Sequence, residues 1–394
     1  MINNPFNFKH IMNRIKGLCL LFLYLVFSTA LHSEEYSNQI YCLGNSLTEG
    51  LGGNGKSYPS VLSELSGLNV INAGAASQTS TQIAGRFGAI PVTVSTYEDK
   101  IEANPEWWTS VIGKDIDILY HTSPKDIEVT GTICGIHGRM FLVNGGHWYF
   151  QRDDYGEIVY CPPGTEFILD PTGAENDIVL FWMGKNNTHE KQTILDDIDA
   201  CIRRLTPGNN RFLVLSITTA PEYIGTLGYD AIIDINNTLK SIYPDNYVDV
   251  QNVLVNSFNP EIPRDVTDYM NGTIPYSLLS DPIHLNEKGY EIVAKTVYEE
   301  LISKNWIKST ATSLSVQSNN EIIRVNNPVK SILTVTFPEA SKQSSIEIVD
   351  LDGKKLLQQI VFPGMTSLNV NLEHFPKGMY FLNYGTAFVK VIKE

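Results

Sequence analysis

Short apolar runs alternate with helical patterns over residues 40–306. The apolar runs predict five buried strands, at Ile40–Leu43, Leu68–Asn72, Ile178–Trp182, Phe212–Ile217 and Tyr247–Val250. Apolar residues at helical spacing predict helices over Tyr58–Leu65, Lys191–Leu205, Ala231–Tyr243 and Glu287–Lys304. Strands that are apolar throughout are buried on both faces, so this alternation predicts an α/β fold with a parallel sheet covered by helices.

Residues 85–172 interrupt this alternation. They are rich in glycine and proline and carry short alternating runs, which predict a β-rich insertion between the second and third sheet strands. The predicted strands are Pro91–Ser95, Ile116–Tyr120, Ile127–Thr132, Arg139–Asn144, His147–Gln151 and Thr165–Leu169. The aromatic residues of the insertion form either a substrate-binding wall, with Trp148 as the candidate contact, or the insertion's own core.

The pattern changes again after Trp306. A stretch rich in serine, threonine and asparagine predicts a linker over residues 309–321. From residue 322 to residue 394 apolar and polar residues alternate, and Asp350–Lys354 is typical of a hairpin turn. We therefore predict an α/β domain over residues 34–308 and a C-terminal β-sandwich over residues 322–394.

The N-terminus has the three parts of a secretory signal. Lys9, Arg14 and Lys16 precede the apolar run Gly17–Phe27, and small residues follow at Ser28–Ala30. The run is short for a membrane span, so we predict a signal peptide over residues 1–33, export, and no stable membrane span. A net charge of −14 makes a nucleic acid an unsuitable partner.

Four cysteines remain once the signal is removed: Cys42, Cys134, Cys161 and Cys201. In an exported protein they can pair in three ways. Cys134 and Cys161 lie in the same β-rich segment, so they are the favoured pair, and four buried free thiols are the alternative.

Residues suited to acyl transfer lie where the predicted strands end. Gly44-Asn45-Ser46 follows the first strand, and this turn presents the Ser46 hydroxyl at the carboxyl edge of the sheet. Asp281 precedes His284 by three residues on one loop far downstream. A serine nucleophile needs a base, and that base needs an acid to orient it. The structural alternative is a loop histidine after a turn-forming aspartate.

An ester carbonyl under attack becomes an oxyanion, which needs hydrogen-bond donors fixed in advance. The candidates are the backbone N–H groups of Ser46 and Gly74 and the side-chain amide of Asn186, each just after a predicted strand. His121, His137 and His147 lack the spacing of metal ligands, and no glycine-rich phosphate loop is present. We therefore predict no metal and no cofactor.

The blocks around these residues resemble those of the SGNH (GDSL-type) esterases and lipases. The similar segments are Gly44-Asn45-Ser46-Leu47, Gly74, Gly184-Lys185-Asn186-Asn187 and Asp281 with His284. The resemblance covers about residues 38–306, apart from the insertion, and implies a flavodoxin-like three-layer α/β/α fold. It also implies that Ser46 is the nucleophile, His284 the base and Asp281 its orienting acid. Ser46, Gly74 and Asn186 would form the oxyanion hole.

Asn45 and Asn187 stand where the family has aspartate. With His189 and Trp148 they are our candidates for substrate contacts. We predict a secreted serine esterase that removes acyl groups from a glycan or a similar polar small-molecule ester. Acetyl is the favoured acyl group. A lipase or phospholipase-like acylhydrolase and a non-catalytic glycan-binding surface protein are the alternatives.

The C-terminal segment resembles a second family. Pro376–Phe381 and Val389–Glu394 are similar to the C-terminal sorting domains of type IX secretion in Bacteroidetes. This resemblance implies the secretion machinery as a partner and a secreted or cell-surface location. A carbohydrate-binding sandwich is the alternative for this domain.

Overall fold

The computed structural model describes residues 39–143, 146–308, 323–337, 340, 343–350, 354–384 and 387–394. The predicted signal peptide and linker, and the centre of the Asp350–Lys354 turn, lie outside the described residues. The described residues form two compact units, one ending at residue 308 and the other beginning at residue 323. Within them, no helix has the length and apolar character needed to cross a membrane.

A parallel sheet of five strands lies at the centre of the first unit. The strands are β1 (Ile40–Gly44), β2 (Val70–Gly74), β3 (Ile178–Trp182), β4 (Phe212–Leu215) and β5 (Tyr247–Val248), in the spatial order 2-1-3-4-5. The predicted α/β class with a parallel sheet is confirmed. The strand order reverses between β1 and β3, and the carboxyl ends of the strands at such a point are where sheets of this kind bind ligands.

Eight α-helices accompany the sheet within residues 39–308: α1 (Ser46–Glu49), α2 (Tyr58–Ser66), α3 (Ser80–Arg86), α4 (Lys191–Arg204), α5 (Leu227–Ile242), α6 (Val250–Asn256), α7 (Pro263–Met270) and α8 (Glu287–Ser303). Successive residues of a strand lie on opposite faces of the sheet and pack in two different hydrophobic cores. Cys42 and Leu180 pack with α2, α6 and α8, whereas Leu43 and Phe181 pack with α3, α4 and α5. Burial on both faces explains why the strands are apolar throughout.

The residues between β2 and β3 form an antiparallel sheet after α3. Its seven strands, in spatial order, are Thr165–Glu166, Thr93–Thr96, Thr109–Lys114, His147–Arg152, Ile136–Val143, Glu128–Ile133 and Ile168–Leu169. Lys100–Ile101 pairs separately with Val159–Tyr160. The prediction of a strand at Ile116–Tyr120 is wrong, because Ile118 and Leu119 are both fully buried and do not alternate.

These four cysteines are free thiols, so the favoured Cys134–Cys161 bridge is absent; the alternative of buried free thiols holds for three of them, whereas Cys134 is partly buried. Cys42, Cys161 and Cys201 are buried. Burial raises the pKa of Cys42 to about 12 and that of Cys161 to about 12. These thiols therefore stay protonated and serve as small apolar side chains.

The C-terminal unit is β-rich, as predicted. One antiparallel sheet contains Arg324–Val325, Ile332–Thr336 and Ser367–Asn371. The other contains Lys355–Val361, Ser344–Val349, Gly378–Tyr384 and Ala387–Lys393. Inward residues of both sheets form one core, among them Leu333, Val370, Ile346, Leu382 and Val391. The period-two pattern of the sequence therefore corresponds to one buried and one exposed face.

Candidate active site

Ser46 is the first residue of α1 and follows β1 after a sharp turn. A Cβ on Gly44 would lie 2.1 Å from Thr48 Oγ1 and 2.4 Å from the carbonyl oxygen of Trp182, so only glycine fits there. Asn45 caps the helix through its Oδ1, which accepts a hydrogen bond of 3.0 Å from the Leu47 N–H. The turn thus holds Ser46 at the carboxyl edge of the sheet.

Ser46, His284 and Asp281 form a continuous chain of hydrogen bonds. Ser46 Oγ lies 3.0 Å from His284 Nε2, and His284 Nδ1 lies 2.7 Å from Asp281 Oδ2. These are distances at which a hydroxyl can pass its proton to an imidazole and a carboxylate can orient the ring. The structure therefore brings together three side chains that span 238 residues of the sequence.

The Asp281 carboxylate also holds the backbone of its own loop. Its Oδ1 accepts hydrogen bonds of 2.8 Å from the N–H groups of Ile283 and His284. Burial alone would raise the pKa of Asp281, but these backbone hydrogen bonds and the imidazole outweigh it, so the pKa lies below its ordinary value. The Asp281 carboxyl group is therefore ionised at neutral pH.

Links outside the triad fix the histidine loop against the serine loop. Within the histidine loop, the carbonyl oxygen of His284 accepts hydrogen bonds from the Ser280 N–H at 2.9 Å and the Ser280 hydroxyl at 3.1 Å. Tyr290, on α8, donates its hydroxyl to the carbonyl oxygen of Leu51 at 2.7 Å. Removing one triad side chain consequently leaves the two loops joined.

Gly74 does not supply the donor expected of it. Its N–H is already taken by Asn72 Oδ1 at 3.0 Å, so this part of the predicted oxyanion hole is wrong. The glycine is needed for a different reason, because a Cβ at this position would lie 2.1 Å from the backbone nitrogen of Glu49. Gly74 therefore permits the close approach of β2 to α1.

A donor that the sequence analysis missed lies three residues later, at Ser77. The neighbouring N–H groups are used: Ala75 donates to the carbonyl oxygen of Gly44, Ala76 to the Glu49 carboxylate and Gln78 to the carbonyl oxygen of Ala75. Within residues 74–78, which the structure describes in full, the N–H of Ser77 makes no intramolecular hydrogen bond. It is thus the donor of this loop that is free to meet a ligand.

Ser77 adopts a conformation unusual for a residue with a side chain. Its φ is 68°, in the left-handed region that favours glycine. The Ser77 hydroxyl lies 2.7 Å from the Thr122 hydroxyl, and this contact with the insertion helps to hold the residue there. A strained residue at the edge of a crevice is typical of a functional position. No glycine marks the position in the sequence, which explains why it was missed.

Asn186 faces the same loop from the end of β3. Its Nδ2 donates one hydrogen bond of 2.8 Å to the carbonyl oxygen of Gln78, the residue after Ser77. A carboxamide nitrogen carries two hydrogens, so one remains for a ligand. Asn186 is exposed, unlike its neighbour Asn187. The Asn186 side chain is therefore placed to act with the N–H groups of Ser46 and Ser77.

The predicted substrate contacts are largely structural residues. Asn45 is 1% exposed and caps α1, and Asn187 is 2% exposed and bonds Ser80 and Glu190. Trp148 is 1% exposed, packs in the core of the insertion and donates its N–H to Asp117. These three predictions are wrong, because the side chains are enclosed. His189 has 80% of its side chain exposed, so it can meet a ligand only from the protein surface.

A buried ion pair positions the Asn186 loop. Lys185 has 7% of its side chain exposed, and its Nζ lies 2.6 Å from Glu222 Oε2 and 3.0 Å from the carbonyl oxygen of Thr218. Burial lowers the pKa of Lys185, and the Glu222 carboxylate opposes that effect. The pair joins the loop after β3 to the loop after β4.

We expect Lys185→Met to lower the free energy of unfolding by about 2–4 kcal/mol, because it leaves Glu222 partly buried without its cation. Chemical denaturation of the purified protein measures this change. The matched control is the double variant Lys185→Met/Glu222→Leu, which removes both charges and should recover most of the loss. Equal destabilisation in the single and double variants would contradict a role for the pair.

Comparison with known proteins gives one family match and several distant likenesses. Residues 327–394 match the family described as a secretion system C-terminal sorting domain, which indicates an exported protein, secreted or held at the cell surface. The tail spike protein of Salmonella phage epsilon15 is 26% identical over 198 residues, a region that is 42% of this chain. The match spans 18% of the tail spike, less than a fifth of its length.

Two solved structures are similar at the level of the backbone. One is a lipolytic protein of the G-D-S-L family from Desulfitobacterium hafniense, with a TM-score of 0.38 and 14% identity over 67% of this chain and all of that one. The other is LAE5, an alpha/beta hydrolase enzyme from the metagenome of Lake Arreo, with a TM-score of 0.35 and 13% identity over 67% of this chain and 95% of that one. Likeness at this level carries no conclusion about activity, which has to come from the site itself.

Proposed function

We propose that the protein is an exported serine esterase of SGNH type that transfers an acyl group from a polar ester to Ser46 and then to water. The observation that carries this proposal is the hydrogen-bonded chain from Ser46 Oγ through His284 to Asp281. Nucleophile, base and orienting acid stand in the order that acyl transfer requires.

In the first half-reaction Ser46 Oγ attacks the ester carbonyl while His284 Nε2 accepts the hydroxyl proton. Asp281 Oδ2 holds the Nδ1–H tautomer and stabilises the imidazolium that forms. The carbonyl oxygen becomes an oxyanion that accepts hydrogen bonds from the N–H groups of Ser46 and Ser77 and from Asn186 Nδ2. Collapse of this intermediate breaks the ester bond, and His284 protonates the departing alcohol.

In the second half-reaction water attacks the acyl-Ser46 ester. His284 Nε2 accepts a proton from the water, the same donors stabilise the second oxyanion, and collapse returns that proton to Ser46 Oγ. The products are the free acid and the restored hydroxyl. Each step uses this chain's own side chains and backbone groups.

The walls of the cavity beside Asp281 favour a hydroxyl-rich alcohol. The cavity that includes Asp281 is lined by polar and apolar groups in similar measure, and its polar residues include Arg264, Asp268, Asn271 and Thr273. Walls of this mixed character suit the alcohol part of a carbohydrate ester, whose ring has apolar faces and whose hydroxyl groups can pair with the polar residues. The sorting domain is consistent with an enzyme that meets its substrate outside the cell.

Nitrophenyl esters of graded acyl length test this proposal. We expect kcat/KM for the acetyl ester to exceed that for the octanoyl ester by about tenfold or more. A preference for octanoate would favour the lipase or phospholipase alternative. Glycan binding without turnover of any ester would favour the non-catalytic alternative and contradict the proposal.

A further inference from the structure

A cavity of about 280 Å³ has the acid of the triad in its wall. Asp281 lines it together with the adjacent residues of its loop. The opposite walls come from the loop after β4 and from α7 and the residues that follow it: Ala220, Pro221, Tyr223, Arg264, Asp268 and Tyr276. This volume is near the lower end of the range for small-molecule sites and suits one sugar ring.

The cavity is within reach of a substrate bound at Ser46. The two hydrogen bonds of the triad and the width of an imidazole place the Asp281 carboxylate within about 8 Å of Ser46 Oγ. A group attached to the alcohol side of an ester at Ser46 can therefore extend into the cavity. No part of the proposed reaction uses its remaining walls.

Exposed aromatic rings flank the cavity. Tyr223 is 52% exposed and Tyr276 is 55% exposed, and both belong to its lining. The Arg264 guanidinium lies over the Tyr276 ring, 4.3 Å from its centroid, so one face of that ring is covered. Tyr223 has no such partner among the described residues and presents an open ring to a ligand. Rigid amphipathic rings of this kind suit the mixed apolar and hydroxyl surface of a sugar.

Polar groups in the walls provide both donors and acceptors. Asp268 Oδ2 accepts the Tyr276 N–H at 2.8 Å, which fixes that carboxylate, and Arg264 Nε lies 3.8 Å from the same oxygen. Within the described residues, the Asn271 carboxamide makes no intramolecular side-chain hydrogen bond, so its donors and acceptor remain available. Hydroxyl groups can use both kinds of partner.

The charge of the walls distinguishes between kinds of sugar. Asp268 and Asp281 contribute two carboxylates, whereas Arg264 contributes one cation. This balance disfavours a uronic acid or another anionic unit, which would bring a third negative charge.

The wall that carries Tyr223 is anchored to the catalytic loops. Glu222, which precedes Tyr223, forms the buried ion pair with Lys185, the residue before Asn186. The cavity wall and the oxyanion donor are therefore held by the same contact. This arrangement lets the position of a bound sugar and the position of the reacting ester be set together.

From these contacts we propose that the cavity is a subsite for one neutral pyranose unit on the alcohol side of the ester. The substrate is then an acylated neutral oligosaccharide or polysaccharide, and Tyr223 is its aromatic contact. This inference rests on the proposed function, because it places the scissile ester at Ser46.

Tyr223→Ala tests the subsite against two substrates. The methyl group of methyl acetate is too small to fill the cavity, whereas acetylated oligosaccharides derived from xylan, mannan and chitin reach it. We expect Tyr223→Ala to lower kcat/KM about tenfold on at least one of these oligosaccharides, mainly through KM, and to leave kcat/KM on methyl acetate within about twofold. The matched control is Tyr160→Ala, at an exposed tyrosine of the insertion, which should leave both within about twofold.

Binding to the Ser46→Ala protein provides a readout that does not depend on turnover. Calorimetry with the same oligosaccharides should show Kd rising about tenfold when Tyr223→Ala is added. Unchanged kinetics and Kd, equal losses on both substrates, or tighter binding of acetylated uronic-acid oligosaccharides would overturn the subsite. Failure of the wild-type protein to cleave any ester would overturn the proposed function instead, and the Kd comparison would still decide whether the cavity binds sugar.

Discussion

Ser46→Ala is expected to lower kcat on nitrophenyl acetate by at least about a thousandfold. The change removes the protein atom that forms a bond to the acyl carbon. Residual hydrolysis would come from the oxyanion donors and from water near His284. Among the described residues, Ser46 Oγ makes its one hydrogen bond to His284, so the thermal unfolding midpoint should shift little.

Ser110→Ala, in a strand of the insertion, is the matched control for Ser46→Ala and should retain full activity. Both purified variants are first compared by the binding of a folding-sensitive dye. The activity assays then use equal amounts of folded protein. Activity of Ser46→Ala within tenfold of the wild-type protein would show that another group performs the attack.

Asp281→Asn is expected to lower kcat by about a thousandfold to ten-thousandfold while leaving the loop folded. An asparagine can keep its Oδ1 on the N–H groups of Ile283 and His284. Its Nδ2 then faces His284 Nδ1 as a donor, which forces the proton onto Nε2. A ring protonated at Nε2 cannot accept the proton of Ser46, so nucleophilic attack fails.

The pH dependence of stability gives a second readout for the same variant. The pKa of Asp281 is lowered in the folded protein from its ordinary value of 3.8. Its stabilising contribution is therefore fully present above that value and is lost as the pH falls through the lowered folded pKa. The difference in unfolding midpoint between wild type and Asp281→Asn should be largest near neutral pH and disappear in strong acid. A difference that grows toward acid would contradict the proposed contacts.

The sequence predicted the site best where a residue suited to acyl transfer lies at the end of a predicted strand. Ser46 follows a buried strand after a glycine turn, and Asp281 precedes His284 at a spacing that suits one loop. Parallel strands end at a common edge, so groups far apart in the chain could be expected to meet there. The structure places Ser46 within hydrogen-bonding distance of His284, and His284 within hydrogen-bonding distance of Asp281.

Backbone donors were harder to predict than side chains. Gly74 looked suitable because it is a glycine just after a strand, but its N–H is satisfied by Asn72 two residues earlier. Ser77 carries no glycine signal, and its positive φ is imposed by contacts that include Thr122 of the insertion. Which N–H group of a loop remains free depends on such contacts between distant segments, which local patterns do not encode.

The error at Trp148 could have been avoided from the sequence. In His147–Arg152 alternate residues are buried, so Trp148 and Phe150 share the inward face of a strand. Asn187 is a different case, because its burial depends on Ser80 reaching it from α3. Alternation indicates which residues are buried within a strand, whereas the partners of a loop side chain depend on the whole fold.

Covalent labelling with a fluorophosphonate, followed by peptide mass spectrometry, tests the central claim most directly. Such reagents phosphonylate a serine only when a neighbouring base activates it. We predict one label per chain, on Ser46, with labelling of His284→Ala at least about a hundredfold slower. Ester turnover with the label on a different serine, or with no label at all, would contradict the account.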